Sequence, residues 1–276
     1  MSAPASRSEH QRAIGALRVA VKQRDGQTVL SDLYQQGCLK ARFPRPVDWM
    51  ETVLLNSSGG VAGGDRLDIA LAVAPGASAC FTAQAAERFY RALPNDPPSR
   101  LRTTLRIEGT GAAEWLPQET ILFDSSALDR RLDIEMDTES WFLGIESLIF
   151  GRLSMGEQVH TARLSDTIRI RRAGRLILHD AIRLTGPVAE ILNRPATANG
   201  NRAVATLIHV SPNAESLLDP LREAWAETPA ETGASAWNNM LVARILAPDS
   251  ATLRTAVTTA LNTLRAGRTL PRVWNC

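Results

Sequence analysis

Carboxylates are the side chains in this sequence whose type and spacing come closest to chemistry. In the stretch Leu116-Pro117-Gln118-Glu119-Thr120-Ile121-Leu122-Phe123-Asp124, Glu119 and Asp124 stand five residues apart. Hydrolysis of a glycosidic bond needs two carboxylates flanking one cleft. Side chains along a strand alternate between its faces, so an odd spacing sends these two in opposite directions. A hydrolase using Glu119 and Asp124 therefore requires a bulge between them, and it stands as the enzymatic alternative. A third acid, Asp65, closes the glycine-rich run Leu54-Leu55-Asn56-Ser57-Ser58-Gly59-Gly60-Val61-Ala62-Gly63-Gly64. A phosphate loop would need Gly-Lys-Ser/Thr at its end, or G-x-G-x-x-G opening a helix. Neither is present, and the acid itself would repel phosphate. The glycines instead suit positive φ or close backbone approach between strands. Asp65 is then either a turn residue or a carboxylate held on a rigid loop for a partner or a cation.

Tight metal sites and activated nucleophiles are missing from the pattern. His10, His160, His179 and His209 show no H-x-x-x-H pairing, and Cys38, Cys80 and Cys276 form no C-x-x-C. The spacing of a structural zinc site is therefore not there. No G-x-S-x-G elbow occurs, and nothing around Cys80 would depress its pKa. The formal charge of +2, with arginine far outnumbering lysine, argues against a dedicated nucleic-acid binder. No uninterrupted apolar run could span a bilayer, and the first residues lack the apolar core of a signal peptide. With three scattered cysteines, the expectation is a soluble protein of the reducing cytoplasm.

The elements that must position these residues are mostly strands. Leu17 to Val21 runs to the turn Asp25-Gly26 and resumes at Thr28, a hairpin signal. Asp68 to Val73 reaches Pro75-Gly76 and restarts at Ala79. Leu101 to Ile107 meets Gly109-Thr110-Gly111 and returns as Ala113 to Leu116, while Arg131 to Met136 and Thr167 to Arg171 alternate strictly. Turns at this frequency predict a mostly β chain of stacked or wrapped antiparallel sheets, β-helix-like or sandwich-like, in one domain over residues 1–276. Residues 1–15 read as a flexible tail. Two helices are expected near the C-terminus. One starts at Ser211-Pro212-Asn213 and carries Leu217, Leu218, Leu221 and Trp225. The other is capped by Pro248-Asp249-Ser250, repeats Leu253, Val257, Leu261 and Leu264, and stops by Gly267. Its apolar stripe suits core packing or a partner surface. Trp49, Trp115, Trp141, Trp225, Trp237 and Trp274 are spread too widely for a base-stacking platform and read as core or interface anchors.

Four stretches in order are specific together: Asn56 to Asp65, Thr82 to Arg91, Glu114 to Asp124, and Phe150 to Glu157. With the ending Leu270-Pro271-Arg272-Val273-Trp274 they resemble the UreD (UreH) family of urease accessory proteins across essentially the whole chain. Ser57-Ser58, Phe89 and Ser125-Ser126 depart from the family pattern and leave its charged positions intact. The resemblance implies a non-enzymatic, mostly β scaffold that helps load nickel into apo-urease. It implies binding to UreF, which recruits the GTPase UreG, and an internal water-filled passage for the metal. Nickel binds nitrogen and sulfur sites tightly, and a nanomolar site would hold it by about 12 kcal/mol and release it slowly. A handover protein should therefore carry no tightly bound cofactor and offer scattered oxygens to transient Ni²⁺. On this resemblance Asp65, Glu87, Glu119, Asp124 and Glu157 are the candidate path carboxylates. Arg88, Arg91 and Arg152 are their candidate ion-pair partners. Each acid also has an ordinary reading as a turn residue or surface charge. Leu253, Val257, Leu261 and Trp274 are candidates for the UreF contact. GTP hydrolysis must lie in a partner, since no P-loop occurs here. The remaining alternative is a purely structural β module that binds another polypeptide.

Overall fold

The computed structural model describes residues 12–152 and 156–275. Most of the expected N-terminal tail, Cys276 and the centre of the Phe150–Glu157 stretch lie outside the described residues. The tail's last residues are held: Arg12 pairs with Asp96 at 2.6 Å, and Ile14 already opens a strand. Two stacked sheets make up the body. The seven-stranded sheet contains β1 (Ile14–Arg24), β2 (Gln27–Gly37), β5 (Arg66–Val73), β8 (Ser99–Ile107), β11 (Ser126–Met136), β13 (Thr161–Arg172) and β14 (Arg175–Pro187), in the order β14-β13-β11-β8-β5-β1-β2. The ten-stranded sheet is built on β3 (Leu39–Arg42), β4 (Met50–Asn56), β6 (Ser78–Ala83), β9 (Ala112–Leu116), β12 (Trp141–Phe150), β15 (Ala203–Val210), β16 (Glu231–Trp237) and β17 (Met240–Ala247). Short strands β7 (Glu87–Phe89) and β10 (Thr120–Leu122) extend it beside β12.

The mostly β class with C-terminal helices agrees with the sequence pattern, but the sheets are mixed. Antiparallel pairing holds at the edges, as in β1–β2 and β13–β14, whereas β1, β5, β8, β11 and β13 run parallel, and so do β4, β6 and β9. The Pro75-Gly76 turn does not close a hairpin. It carries the chain from β5 in one sheet to β6 in the other, and Gly109 does the same between β8 and β9. Gly and Pro supply the dihedrals for a sharp reversal whether the next strand pairs or changes sheet. The Asp25-Gly26 hairpin is as expected, with positive φ at both residues (51° and 76°), the requirement of a two-residue primed turn.

The inter-sheet core brings Leu17, Leu71, Leu105 and Ile134 against Phe81 and Phe142. A second core lies on the outer side of the ten-stranded sheet, where α2 (Leu218–Ala224) and α3 (Ser250–Leu264) cover β12, β15 and β17. Strand β12 is thus buried on both faces, which explains its nearly continuous apolar sequence. A third, short helix, α1 (Val188–Leu192), follows β14. Among the described residues, no helix is long and apolar enough to cross a membrane.

Helix α3 obeys its sequence signals. Asp249 is extended at the N-cap and its side chain accepts from Thr252 N at 2.8 Å. That bond holds the carboxyl below its usual range. Asp249→Ala is expected to cost about 1 kcal/mol, read as a lower urea midpoint. The cap's share fades as pH falls through the lowered folded value, because protonation removes the stronger acceptor. Leu253, Val257 and Leu261, offered by the sequence as partner contacts, are at most 1% exposed and pack into the second core, as does Trp274 at 6%. Any surface that α3 presents to a partner is therefore made of its other residues.

Candidate functional site

Between the sheets lies a cavity of about 240 Å³. Its walls include Ile69 and Thr103 from the seven-stranded sheet and Trp115 and Glu146 from the other, and it reaches the surface beside exposed Gln84 and Ala85. Strands β11 and β13 point Arg130 and Asp166 inward, at positions that continue the buried rows Leu128-Leu132-Ile134 and Leu164-Ile168-Ile170. The Arg130 guanidinium donates to both Asp166 oxygens, Nε at 2.8 Å and a terminal nitrogen at 2.6 Å, and to Thr120 Oγ1 at 2.8 Å. Its remaining contact is Glu146 at 2.6 Å, whose other oxygen accepts from Trp115 Nε1 at 2.8 Å. Burial opposes the charge on Arg130, but Asp166 and Glu146 outweigh it and keep the guanidinium protonated. Burial pushes the Glu146 carboxyl up. A buried ion network is less stabilising than apolar packing of the same volume, so this one calls for a reason other than stability.

Glu87 is the cavity carboxylate that, among the described residues, forms no ion pair. Its two oxygens each lie 3.2 Å from Asn56 Nδ2, and burial raises its pKa. Asn56 is fixed in turn by Ser58, whose N–H and hydroxyl donate to its Oδ1. The glycine-rich loop after it is a close-approach device. Gly60 sits at φ +144°, where a Cβ would come within 2.3 Å of the Tyr90 ring, and Val61 bridges to Phe89 of β7.

The other sequence candidates stand elsewhere. Asp65, 4% exposed, clasps backbone: Oδ1 accepts from Ala13 N at 2.8 Å and Oδ2 from Ala62 N at 2.7 Å. Glu119 turns to Arg254 at 2.9 Å. Asp124 accepts from His160 N and Thr161 N at 2.8 and 2.9 Å. A partial desolvation that would raise its pKa is outweighed by these donors, which lower it. Glu119 and Asp124 are thus tied to different partners and form no catalytic pair. Glu157 pairs with Arg152 at 3.2 Å, whereas Arg88 and Arg91 make no ion pair among the described residues. Among the described residues no cluster of three His, Cys, Asp or Glu could cage a metal.

A C-terminal strap adjoins the cavity wall. Arg265 and Arg268 converge on fully buried Glu114 at 2.8 and 2.9 Å. Trp274 Nε1 donates to Leu116 O, and Gln118, which lines the cavity, donates to Val273 O at 3.0 Å. Arg254 joins the two by donating to Gln118 Oε1 and to Trp274 O. Sequence reasoning missed Arg130, Glu146 and Asp166.

The profile of the family described as UreD urease accessory protein matches residues 13–275. A protein named urease accessory protein UreD from Azorhizobium caulinodans is 42% identical over 96% of this chain and 97% of its own. One of the same name from a Methylobacterium species is 46% identical over 97% and 95%. Another, from Rhizobium leguminosarum bv. trifolii, is 41% identical over the full length of both. With matches of that identity along nearly its entire length, the chain belongs to the UreD family of urease accessory proteins.

Proposed function

We propose that this chain is a maturation factor for urease and not an enzyme. It acts as a scaffold that works in the cytoplasm with UreF-like and UreG-like partners on apo-urease, and nickel crosses its inter-sheet cavity as cargo. Glu87 carries the reading: it is a carboxylate in a largely apolar cavity, without an ion pair among the described residues and steadied by the Asn56 amide. Carboxylate, amide and water oxygens suit a metal that must be let go, whereas thiolate and imidazole would retain it. Asp166 and Glu146 together offset the positive charge of Arg130, so the wall behind Glu87 does not repel a cation. The chain has no phosphate loop, which leaves nucleotide hydrolysis to a partner.

Glu87→Gln keeps the shape and an acceptor for Asn56 while removing the charge. Co-expressed with urease subunits and the accessory partners, it is expected to lower nickel per urease several-fold, by elemental analysis, while the complex still co-purifies. Wild-type nickel content in urease matured with the variant would refute passage by way of Glu87.

A further inference from the structure

The outer face of the seven-stranded sheet is strongly and unevenly charged. From Arg163 onward, the outward positions of β8 and β13 are arginine or small hydroxyl residues: Arg100, Arg102 and Arg106 on one strand, Arg163, Arg169 and Arg171 on the other. The answering carboxylates cluster on β11 between them, where Asp129, Asp133 and Glu135 pair with Arg102, Arg169 and Arg106. Beyond these pairs a surplus remains. Parallel register sets Arg66 of β5 directly beside Arg100 of β8, whose neighbour on the other side, Asp129 of β11, is taken by Arg102; both arginines are exposed, and among the described residues neither guanidinium has a hydrogen bond or ion pair. The nearby Asp68 also forms no ion pair among the described residues. Like charges in register repel and cost stability in the free protein. Solubility alone would be served by either sign of charge, whereas two adjacent arginines suit a negative counterpart.

We propose that this face, centred on the Arg66–Arg100 pair, docks a carboxylate-rich protein surface, and that the surface belongs to apo-urease. The identity of the client rests on the maturation role above. A protein fits better than a nucleic acid, because Asp129, Asp133 and Glu135 within the face would oppose a phosphate backbone, while a mixed protein surface can answer both signs. Charge-led docking is fast and reversible, which suits a helper that must leave its client.

The test measures binding of the full chain, in complex with its accessory partners, to purified apo-urease by biolayer interferometry at several salt concentrations. Wild type is expected to bind with an affinity that falls as salt rises. Arg66→Glu with Arg100→Glu is expected to weaken binding by about tenfold or more and to flatten the salt dependence. Arg100→Gln is expected to weaken binding while leaving the melting temperature unchanged or higher, since it relieves the repulsion; a merely structural arginine would lower it. Double-variant affinity within about twofold of wild type overturns the docking face and leaves the maturation role standing. Absence of wild-type binding overturns both. Tighter binding of a 30-base-pair duplex than of apo-urease at the same salt reassigns the face to nucleic acid and also overturns the proposal.

Discussion

Arg130→Met is expected to be among the most damaging single substitutions in the molecule, lowering the unfolding free energy by about 3–5 kcal/mol near neutral pH. Its guanidinium is 4% exposed, and Glu146 and Asp166 beside it are 7% and 5% exposed. Methionine fills similar volume, so the loss is electrostatic. Two carboxylates remain in the inter-sheet core, where both are poorly hydrated and each repels the other. Burial already pushes the Glu146 carboxyl up, and without the guanidinium it takes up a proton still more readily than in the unfolded chain. A group with a raised folded pKa contributes stability that is present at low pH and lost as pH rises through the folded value. The deficit of the variant against wild type should therefore be smaller at about pH 5 than at about pH 8, measured by urea denaturation at each. Apolar replacement of all three residues should recover most of the loss. A deficit that does not change with pH would mean that the cost arises from packing. The triple variant has a second use: if it folds yet fails to support urease activation, the network serves passage through the cavity and not the fold.

This network shows what the sequence conceals and why. The Arg130-Arg131 dipeptide must send one arginine to each face of β11, and the parity of Leu128, Leu132 and Ile134 assigns the first to the inside. The same parity places Asp166 among Leu164, Ile168 and Ile170. Glu146 is an acid within a strand buried on both sides. These signals are local and were available, but which buried charges meet depends on β11 pairing with β13 in one sheet and facing β12 in the other, and that is set by the change of sheet at each turn. A turn dipeptide reports that the chain reverses and not which sheet it joins, so interior strands expected antiparallel are parallel. Asp25-Gly26 and α3 were legible because their determinants are contained within a few residues: two positive-φ positions, or a cap, a stripe and a terminating glycine. Asp65 was legible as one of two readings, and its oxygens take backbone N–H groups in the manner of a turn residue. Glu87 came into view only through resemblance, since its place in the cavity beside Asn56 is a property of the assembled sheets.

Trp274→Ala is the second large effect, with an expected loss of about 3–5 kcal/mol. The indole is 6% exposed in the second core, beneath the end of the chain, and its N–H answers Leu116 O. Truncation opens a cavity and removes one of the two donors to that carbonyl, which keeps its bond from Thr82 Oγ1 at 2.6 Å. It also removes the ring under Arg254, whose guanidinium lies 5.1 Å from the ring centroid while bonding Gln118, Glu119 and the Trp274 carbonyl. Those bonds make the indole a support for the Pro117–Gln118 wall as well as for the strap. A double-mutant cycle with Arg254→Ala is expected to give a coupling of about 1 kcal/mol, since the two side chains share one contact network. Trp274→Phe separates the contributions: it keeps most of the packing, loses the bond to Leu116 O, and should cost about 1–2 kcal/mol. If Trp274→Ala destabilised the chain by less than Trp274→Phe is expected to, the strap would be held by its polar contacts, Arg265 and Arg268 on Glu114 and the bonds from Gln118 and Arg254 to its carbonyls. The aromatic at its end would then be no part of the core energetics.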